Sequence, residues 1–224
     1  MDILDAFYRR TYESNINNKM LHYDYTFPTE DVKDYVRQIL CIPIDRLVQH
    51  DIESETTDVI TPKDVFQFSS LEAATNHICR ILNDAGNPGV TYLQAGKLLL
   101  DDGKPRNDIA YKKYGENHLK TAEALGLLYE LTHTYFVSCV GIIYLELNDE
   151  DRKKLEVRLL LRNKLIARII KAASAAKIDA RQFFYMLSDA TYARRRSNIK
   201  CILRCMQEST EYDFSRIIDN IYFS

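Results

Sequence analysis

The stretch TYLQAGKLLLDDGKPRNDIAYKKYGENHLKTAEALGLL, residues 91–128, carries the clearest structural signals in this 224-residue chain. Thr91 has the side chain of a helix N-cap, which predicts a helix over Tyr92–Leu100. Asp108 is placed to cap a second helix that runs to about Leu125, and Gly126 suits the left-handed position that ends a helix. The stretch therefore predicts two consecutive helices joined by a short basic loop.

The segments on either side extend this pair of helices into a unit over residues 69–148. Upstream, Ser70 is placed to cap a helix over Leu71–Asn83, which ends at the glycine-rich turn 86–89. Downstream, a short turn at 132–134 leads into a β-rich run over 135–147. The order is three helices and then a two-stranded hairpin, which is the plan of a helix-turn-helix unit with a β-hairpin wing.

A second three-helix unit is predicted over residues 149–206. Its helices are expected over 150–173 and 179–187, and from a Thr191 cap to about Met206, with apolar residues at helical spacing on one face of each. Residues 207–224 are expected to form a short C-terminal tail. The fold class predicted from both units is mainly α with a small hairpin, as tandem helix-turn-helix or winged-helix units.

Residues 1–68 are predicted to be a helical and irregular N-terminal extension. A short amphipathic helix is expected over residues 2–12, and a longer one between a Thr29 cap and Pro43. Residues 50–62 carry four acids and few apolar side chains, so we expect an exposed connection there.

The composition and the absence of certain motifs exclude several classes of protein for this chain. Hydrophobic residues make up 46% and charged residues 28% of the chain, as in folded globular proteins. No apolar run reaches the roughly 18–20 residues of a membrane span, and the acidic N-terminus does not resemble a secretory signal. Five cysteines without a CxxC pair suit a reducing compartment, so we expect a cytosolic protein. GxGxxG and GxxxxGK[ST] motifs are absent, which removes support for Rossmann and Walker-type nucleotide sites.

The near-zero net charge of −2 hides a segregation along the chain. Residues 1–150 have a balance of −10, whereas residues 151–205 have a balance of +11. A basic block of this kind indicates a polyanionic partner. In its last predicted helix, which contains TYARRRSNIK (191–200), three consecutive arginines lie near a helix N-terminus, where the helix dipole disfavours cations. Phosphate contact would offset that cost.

Two sets of side chains are therefore the candidates for contact with duplex DNA. Lysine and asparagine can reach phosphates and base edges from a helix in the major groove, and arginines near a helix N-terminus can do the same. The first set lies in the third predicted helix and the loop before it: Lys104, Arg106, Lys112, Lys113, Asn117, His118 and Lys120. The second set lies in the arginine-rich helix: Tyr192, Arg194, Arg195, Arg196 and Lys200. Pairing of these arginines with the acidic N-terminal region, or with an acidic partner protein, is the alternative.

The same two regions carry a resemblance to a known group of proteins. AGKLLLDDGKPR (95–106), YGENH (114–118) and LGL (125–127), followed by LSxxTxxRRxxxI (187–199), resemble winged-helix modules of bacterial restriction endonucleases and related defence proteins. The resemblance covers about residues 70–206 and implies tandem helix-turn-helix subdomains that recognise duplex DNA beside a nuclease domain. It would place the DNA-facing role on the basic residues, Asn117 and His118 of the two sets. This chain departs from the pattern because no nuclease domain is recognisable in it.

The function predicted from the sequence is sequence-specific binding of double-stranded DNA, as the recognition component of a restriction, defence or regulatory system. We predict no catalytic residues, no metal site and no cofactor, because no carboxylate cluster, zinc spacing or nucleotide motif is present. Nuclease activity rests on the resemblance alone. A protein-interaction module remains the alternative. Homodimerisation and a separate nuclease or effector chain stay open.

Overall fold

The computed structural model describes Leu4, Phe7, Tyr8, residues 30–54 and residues 59–224. It is mainly helical with a small antiparallel hairpin, which confirms the predicted fold class at that level. The chain divides into two compact units, which are residues 1–39 with 67–152 and residues 40–66 with 153–224. This division differs from the predicted one, because residues 40–66 cluster with the basic half of the chain.

The described elements follow one another in this order: α1 (Glu30–Cys41), α2 (Ile44–Glu53), a 3₁₀ turn (Pro62–Asp64), a π-helical turn (Ala73–His77) continued by α3 (Ile78–Asp84), α4 (Tyr92–Leu99), α5 (Asp108–Ala124), β1 (Leu128–Leu131), β2 (Thr134–Val137), α6 (Cys139–Glu146), α7 (Asp149–Leu161), α8 (Lys164–Ala175), β3 (Ile178–Asp179), a 3₁₀ helix (Ala180–Phe184), α9 (Asp189–Gln207), α10 (Ser215–Ile218) and β4 (Ile221–Tyr222).

The helix ends of the first unit follow the side-chain caps of the sequence. The Ser70 hydroxyl accepts a hydrogen bond from the Ala73 N–H at 3.1 Å, and Thr91 forms a capping box with Gln94. Both caps confirm the prediction. The cap of α5 is Asn107 and not Asp108, because the Asn107 amide oxygen accepts from the N–H of Ala110, the third residue of the helix.

Two glycines allow α4 and α5 to pack at short range. A Cβ added to Gly96 would collide with the backbone carbonyl of Tyr111, and one added to Gly115 would collide with that of Tyr92. A backbone atom cannot move aside as a flexible side chain can, so only glycine fits either position. This contact holds α5 in a defined orientation against α4 and turns its other face to solvent.

The hairpin is confirmed, and a third segment extends it. Strands β1 and β2 pair from Leu128 opposite Val137 to Leu131 opposite Thr134, around a two-residue turn in which both residues have positive φ. Val90, in the connection between α3 and α4, forms an antiparallel bridge with Tyr135 through hydrogen bonds of 2.8 and 2.9 Å. Residues 73–137 of the first unit are thus ordered helix, bridge strand, helix, helix and hairpin.

The β-rich run predicted over 135–147 is strand only as far as Val137. From Cys139 to Glu146 the chain forms α6, capped by the Ser138 hydroxyl, which accepts from the Gly141 N–H at 2.9 Å. The helix is buried on nearly all sides, so its sequence is almost continuously apolar. A short apolar run does not distinguish a buried strand from a buried helix, which is why the prediction failed here.

In the second unit, two predicted helices are different in the structure. The helix expected over 150–173 is interrupted, because the Asn163 side chain accepts from the Leu165 and Ile166 N–H groups and starts α8. The helix expected over 179–187 is only a 3₁₀ helix, and α9 begins after a Ser188 cap in place of the predicted Thr191. The tail contains α10 and β4, and β4 pairs in parallel with β3.

Cations of the second unit hold the segment 40–66 by its backbone carbonyls. The Arg158 side chain is 1% exposed and donates to the carbonyls of Leu40 and Ile42 at 3.1 and 3.0 Å, as well as to the Glu211 carboxylate. Lys171 donates to the Ser54 carbonyl at 2.5 Å. Charged donors to buried carbonyls form strong hydrogen bonds, so part of the basic block is used to stabilise the unit itself.

The predictions for the N-terminal extension have mixed outcomes. In the predicted helix over 2–12, the described residues Leu4, Phe7 and Tyr8 are helical and Phe7 is buried. The Thr29 cap lies outside the described residues. The exposed connection predicted from residue 50 is wrong at its start, because His50–Glu53 is the last turn of α2 and Asp51 is buried.

Candidate nucleic-acid interface

The solvent face of α5 carries cations that have neighbouring carboxylates. Lys113 and Lys120 both bind Glu116, with Nζ to carboxylate distances of 3.0 Å. Partial burial disfavours ionisation of Glu116, but the hydrogen bonds from the two lysines outweigh it and lower the pKa of that carboxyl. At the start of the helix, Lys97 of α4 binds Asp108 at 3.1 Å. Most of the positive charge expected from this face is therefore compensated within the unit.

Two candidate side chains of α5 remain available. Lys112 is exposed and Asn117 is half-buried, and neither binds another side chain in the part of the chain that the structure describes. In the preceding loop, Lys104 is exposed, whereas Arg106 forms a two-pronged ion pair with Asp102 at 2.6 and 2.7 Å. That pair holds the pKa of Asp102 well below its usual range, so Arg106 carries a bound counter-charge.

The prediction that His118 is exposed is wrong. Its side chain is 1% exposed, and its Nδ1 lies 2.8 Å from the Tyr114 carbonyl oxygen. A carbonyl only accepts, so Nδ1 carries the hydrogen and Nε2 is the acceptor, which receives the Ser69 backbone N–H at 3.2 Å. Burial lowers the pKa of His118, with a smaller contribution from nearby His77. His118 thus connects the segment before α3 to α5 and does not face a ligand.

The three consecutive arginines of α9 have three different environments. Arg194 is exposed, and its polar contacts go to Ala190 and Thr191 on its own helix. Arg195 is half-buried and donates to the carbonyls of Pro62 and Val65 at 3.2 and 2.9 Å. Successive residues on a helix point about 100° apart, so a run of three cannot share one face. Only some members of the run are available to a partner.

Two further cations of α9 are exposed. Lys200 is exposed with its Nζ 5.0 Å from the centre of the Phe223 ring, and Arg204 is exposed one turn further on. We call Arg194, Lys200 and Arg204 the α9 stripe. Within the described chain, none of the three forms an ion pair with a carboxylate. Arg196 flanks the stripe, half-buried, with its guanidinium 3.5 Å from the Ser224 carbonyl oxygen.

Tyr192 is not among the exposed residues of α9. Its side chain is 4% exposed, its ring packs against Phe184 with centroids 5.2 Å apart, and the Arg181 guanidinium lies 4.6 Å from the ring centre. The expected contact between Tyr192 and DNA does not fit this burial. Its aromatic ring is part of the core.

Sequence reasoning missed two exposed residues that the structure adds to these surfaces. Arg204 was overlooked although it follows Lys200 at the four-residue spacing that places side chains on one helix face. Ile109, in the first turn of α5, is 79% exposed. Its position two residues after the Asn107 cap could have indicated this exposure, because side chains in the first turn of a solvent-facing helix have few neighbours on that helix.

Other kinds of site have little support in this structure. Among the described residues, no three His, Cys, Asp or Glu side chains come together as ligands for a metal ion. None of the helices in the described ranges is long and apolar enough to cross a membrane. The thiol of Cys205 is not an activated nucleophile, because burial, together with Glu156 and Glu208, raises its pKa to about 12.

Comparison with known proteins identifies no relative: no protein family, curated protein or solved structure matches this chain.

Proposed function

We propose that this protein binds double-stranded DNA, with the first unit acting as a winged helix whose α5 enters the major groove. In support, the order helix, bridge strand, helix, helix and hairpin is that of a helix-turn-helix with a β wing, and α5 is its third helix. A groove about 12 Å wide accommodates one α-helix, and the solvent face of α5 has the required length and freedom. In the second unit α9 contacts phosphates as a single helix, since the element before it is only a 3₁₀ helix.

The observation that carries the proposal is the α9 stripe. Its three cations are all exposed on a helix of 19 residues, with Lys200 and Arg204 on one face, and none has an ion pair to the described carboxylates of a chain whose net charge is −2. Lys200 and Arg204 are four residues apart, a spacing at which like charges repel one another on a helix. A row of phosphates would remove that repulsion and release counterions.

The different charges of α5 and the α9 stripe give them different roles in DNA binding. Because Glu116 and Asp108 compensate the lysines around α5, this helix contributes little non-specific attraction, and its role is base recognition through Lys112 and Asn117. An asparagine amide can pair with adenine through two hydrogen bonds. The α9 stripe supplies affinity that does not depend on sequence.

The wider role rests on the resemblance to modules of restriction endonucleases. It makes the protein a recognition component of a restriction, defence or regulatory system in the cytoplasm, with catalysis in a separate nuclease or effector chain. Homodimerisation would suit a palindromic site.

The test is the salt dependence of duplex binding by the full chain. A fluorescent duplex of mixed sequence is titrated at several salt concentrations, and log K is plotted against log salt. Wild type is expected to have a slope of about −4, since each phosphate contact contributes about −0.9. The variant R194A/K200A/R204A is expected to flatten the slope by roughly 2.5 and to bind all sequences less tightly.

The matched control removes three cations that have carboxylate partners, in the variant K33A/R37A/K97A. Lys33 binds Glu30, Arg37 binds Asp34 and Lys97 binds Asp108, so the slope is expected to change by less than about 1. Equal losses in the two variants would attribute binding to net charge alone and contradict the proposal. Absence of duplex binding at low salt, with binding of poly-glutamate that requires the α9 stripe, would favour an acidic protein partner instead.

A further inference from the structure

Ile109 is the most exposed large apolar side chain of the described chain. It is 79% exposed in the first turn of α5. Nothing in the helix explains an isoleucine there, because β-branched residues are weaker helix formers than the polar alternatives. Because the side chain is exposed, it gains little stabilisation from burial.

The surroundings of Ile109 are those of a groove-contacting end of a helix. Lys112 follows it by one turn on the same side and is free of ion pairs within the described residues. The acid next to it, Asp108, is held by Lys97 of α4 at 3.1 Å, which compensates its charge. The Ala110 N–H is already used by the Asn107 cap at 2.8 Å. This end of α5 therefore exposes an apolar side chain, Ile109, beside the cation of Lys112.

The major groove contains one apolar group that such a side chain can recognise, the methyl group on C5 of a pyrimidine. We infer that Ile109 is a specificity-determining residue that contacts the C5 methyl group of a pyrimidine while Lys112 binds a neighbouring phosphate or guanine. This inference rests on the proposed duplex binding by α5. Thymine and 5-methylcytosine present the same methyl group at this place, so the experiment has an arm for each.

The experiment uses the full chain and duplexes that differ only in methyl groups. A preferred site is first selected from a randomised pool, and its affinity is then compared with that of the same site carrying deoxyuridine for thymidine. Wild type is expected to bind the thymine duplex three- to fivefold more tightly, which is the size expected for burial of one methyl group. I109A is expected to bind both duplexes equally, at about the wild-type affinity for the uracil duplex.

The control is V59A, which shortens another exposed aliphatic side chain (69% exposed) in the second unit and should keep the wild-type preference. In a further arm, cytosine or 5-methylcytosine replaces each thymine of the site. Recovery of affinity with 5-methylcytosine would support the methyl contact and show that the modified base serves as well as thymine. Recovery with thymine alone would support it with thymine as the source.

The outcomes separate this inference from the proposed function. If wild type binds no duplex, the proposed function fails. If wild type binds the thymine and uracil duplexes equally and still shows the salt dependence of the α9 stripe, the methyl contact is overturned and duplex binding stands. A change in the oligomeric state of I109A without any effect of the methyl group would also overturn it.

Discussion

Helices α5 and α9 have similar lengths, 17 and 19 residues, and both expose lysine or arginine side chains. They differ in whether carboxylates are paired with those cations. In α5, Lys113 and Lys120 share Glu116. In α9, Arg195 donates to the carbonyls of Pro62 and Val65, whereas the α9 stripe has no ion pairs to the described carboxylates. The number of basic residues in a helix therefore says less about its partner than the number that remain uncompensated.

The largest expected effect is a difference in the free energy of unfolding between variants of two neighbouring arginines of α9. R195A removes two hydrogen bonds from a charged donor to the carbonyls of Pro62 and Val65, and we expect it to lower the free energy of unfolding by about 2 kcal/mol. R194A is expected to change it by less than about 0.5 kcal/mol, because Arg194 is exposed and alanine is the better helix former. Urea denaturation followed by circular dichroism measures both.

DNA affinity should respond in the opposite way. R194A is expected to weaken duplex binding and flatten the salt slope by roughly 1, whereas R195A should leave the slope nearly unchanged. If R195A is as stable as wild type and R194A is not, the assignment of the two roles is reversed and the comparison fails.

A medium effect is expected from removing the shared carboxylate of α5. E116Q keeps the shape of the side chain but releases Lys113 and Lys120 from their ion pairs. The first unit would then resemble α9 in having uncompensated cations, so we expect duplex affinity to rise about three- to fivefold and the salt slope to steepen by about 1. Fluorescence anisotropy at several salt concentrations is the measurement.

The matched control for E116Q is E72Q, a change of the same charge at an exposed residue of the first unit that hydrogen-bonds Asn76 and none of the described cations. It should raise affinity less. A rise of the same size in both variants would show that overall charge, and not release of the lysines, determines affinity.

The smallest expected effect is the pH dependence of the contact made by His118. Burial lowers the pKa of this imidazole from its ordinary value of 6.5, so the unfolded chain takes up the proton at a higher pH than the folded chain. The stability contributed by neutral His118 is therefore complete above about pH 6.5 and is lost as pH falls through the lower folded-state value. Protonated Nε2 can no longer accept the Ser69 N–H.

Urea denaturation at a series of pH values between 5 and 8 measures this effect. H118Q should lose part of the decline below pH 6.5, whereas H133Q should retain it, because the His133 side chain is 98% exposed. An unchanged decline in H118Q would assign the titration to another group. Helix α9 contains no histidine, so within the comparison of α5 with α9 a histidine titration is expected only in α5.

Local elements were predictable where one side chain decides the backbone. Ser70, Thr91 and the hairpin turn are examples, because a cap or a left-handed residue acts within a few positions of itself. Asn163 also acts locally, but it lies inside a long apolar pattern. Its role as a helix cap is recognised only from the hydrogen bonds of its amide oxygen in the structure. The apolar run of α6 has no hydrophobic periodicity, so the sequence does not distinguish a buried strand from a buried helix there.

The candidate interface divides in the same way. Its residue types, its segregated charge and the helices that carry it follow from the sequence, since these depend on composition and on spacing along the chain. The state of each side chain depends on groups far away in the sequence: His118 on Ser69, Arg195 on Pro62 and Val65, Tyr192 on the ring of Phe184 and the guanidinium of Arg181. Burial and pairing are properties of packed neighbours, and these neighbours come together only in the folded chain.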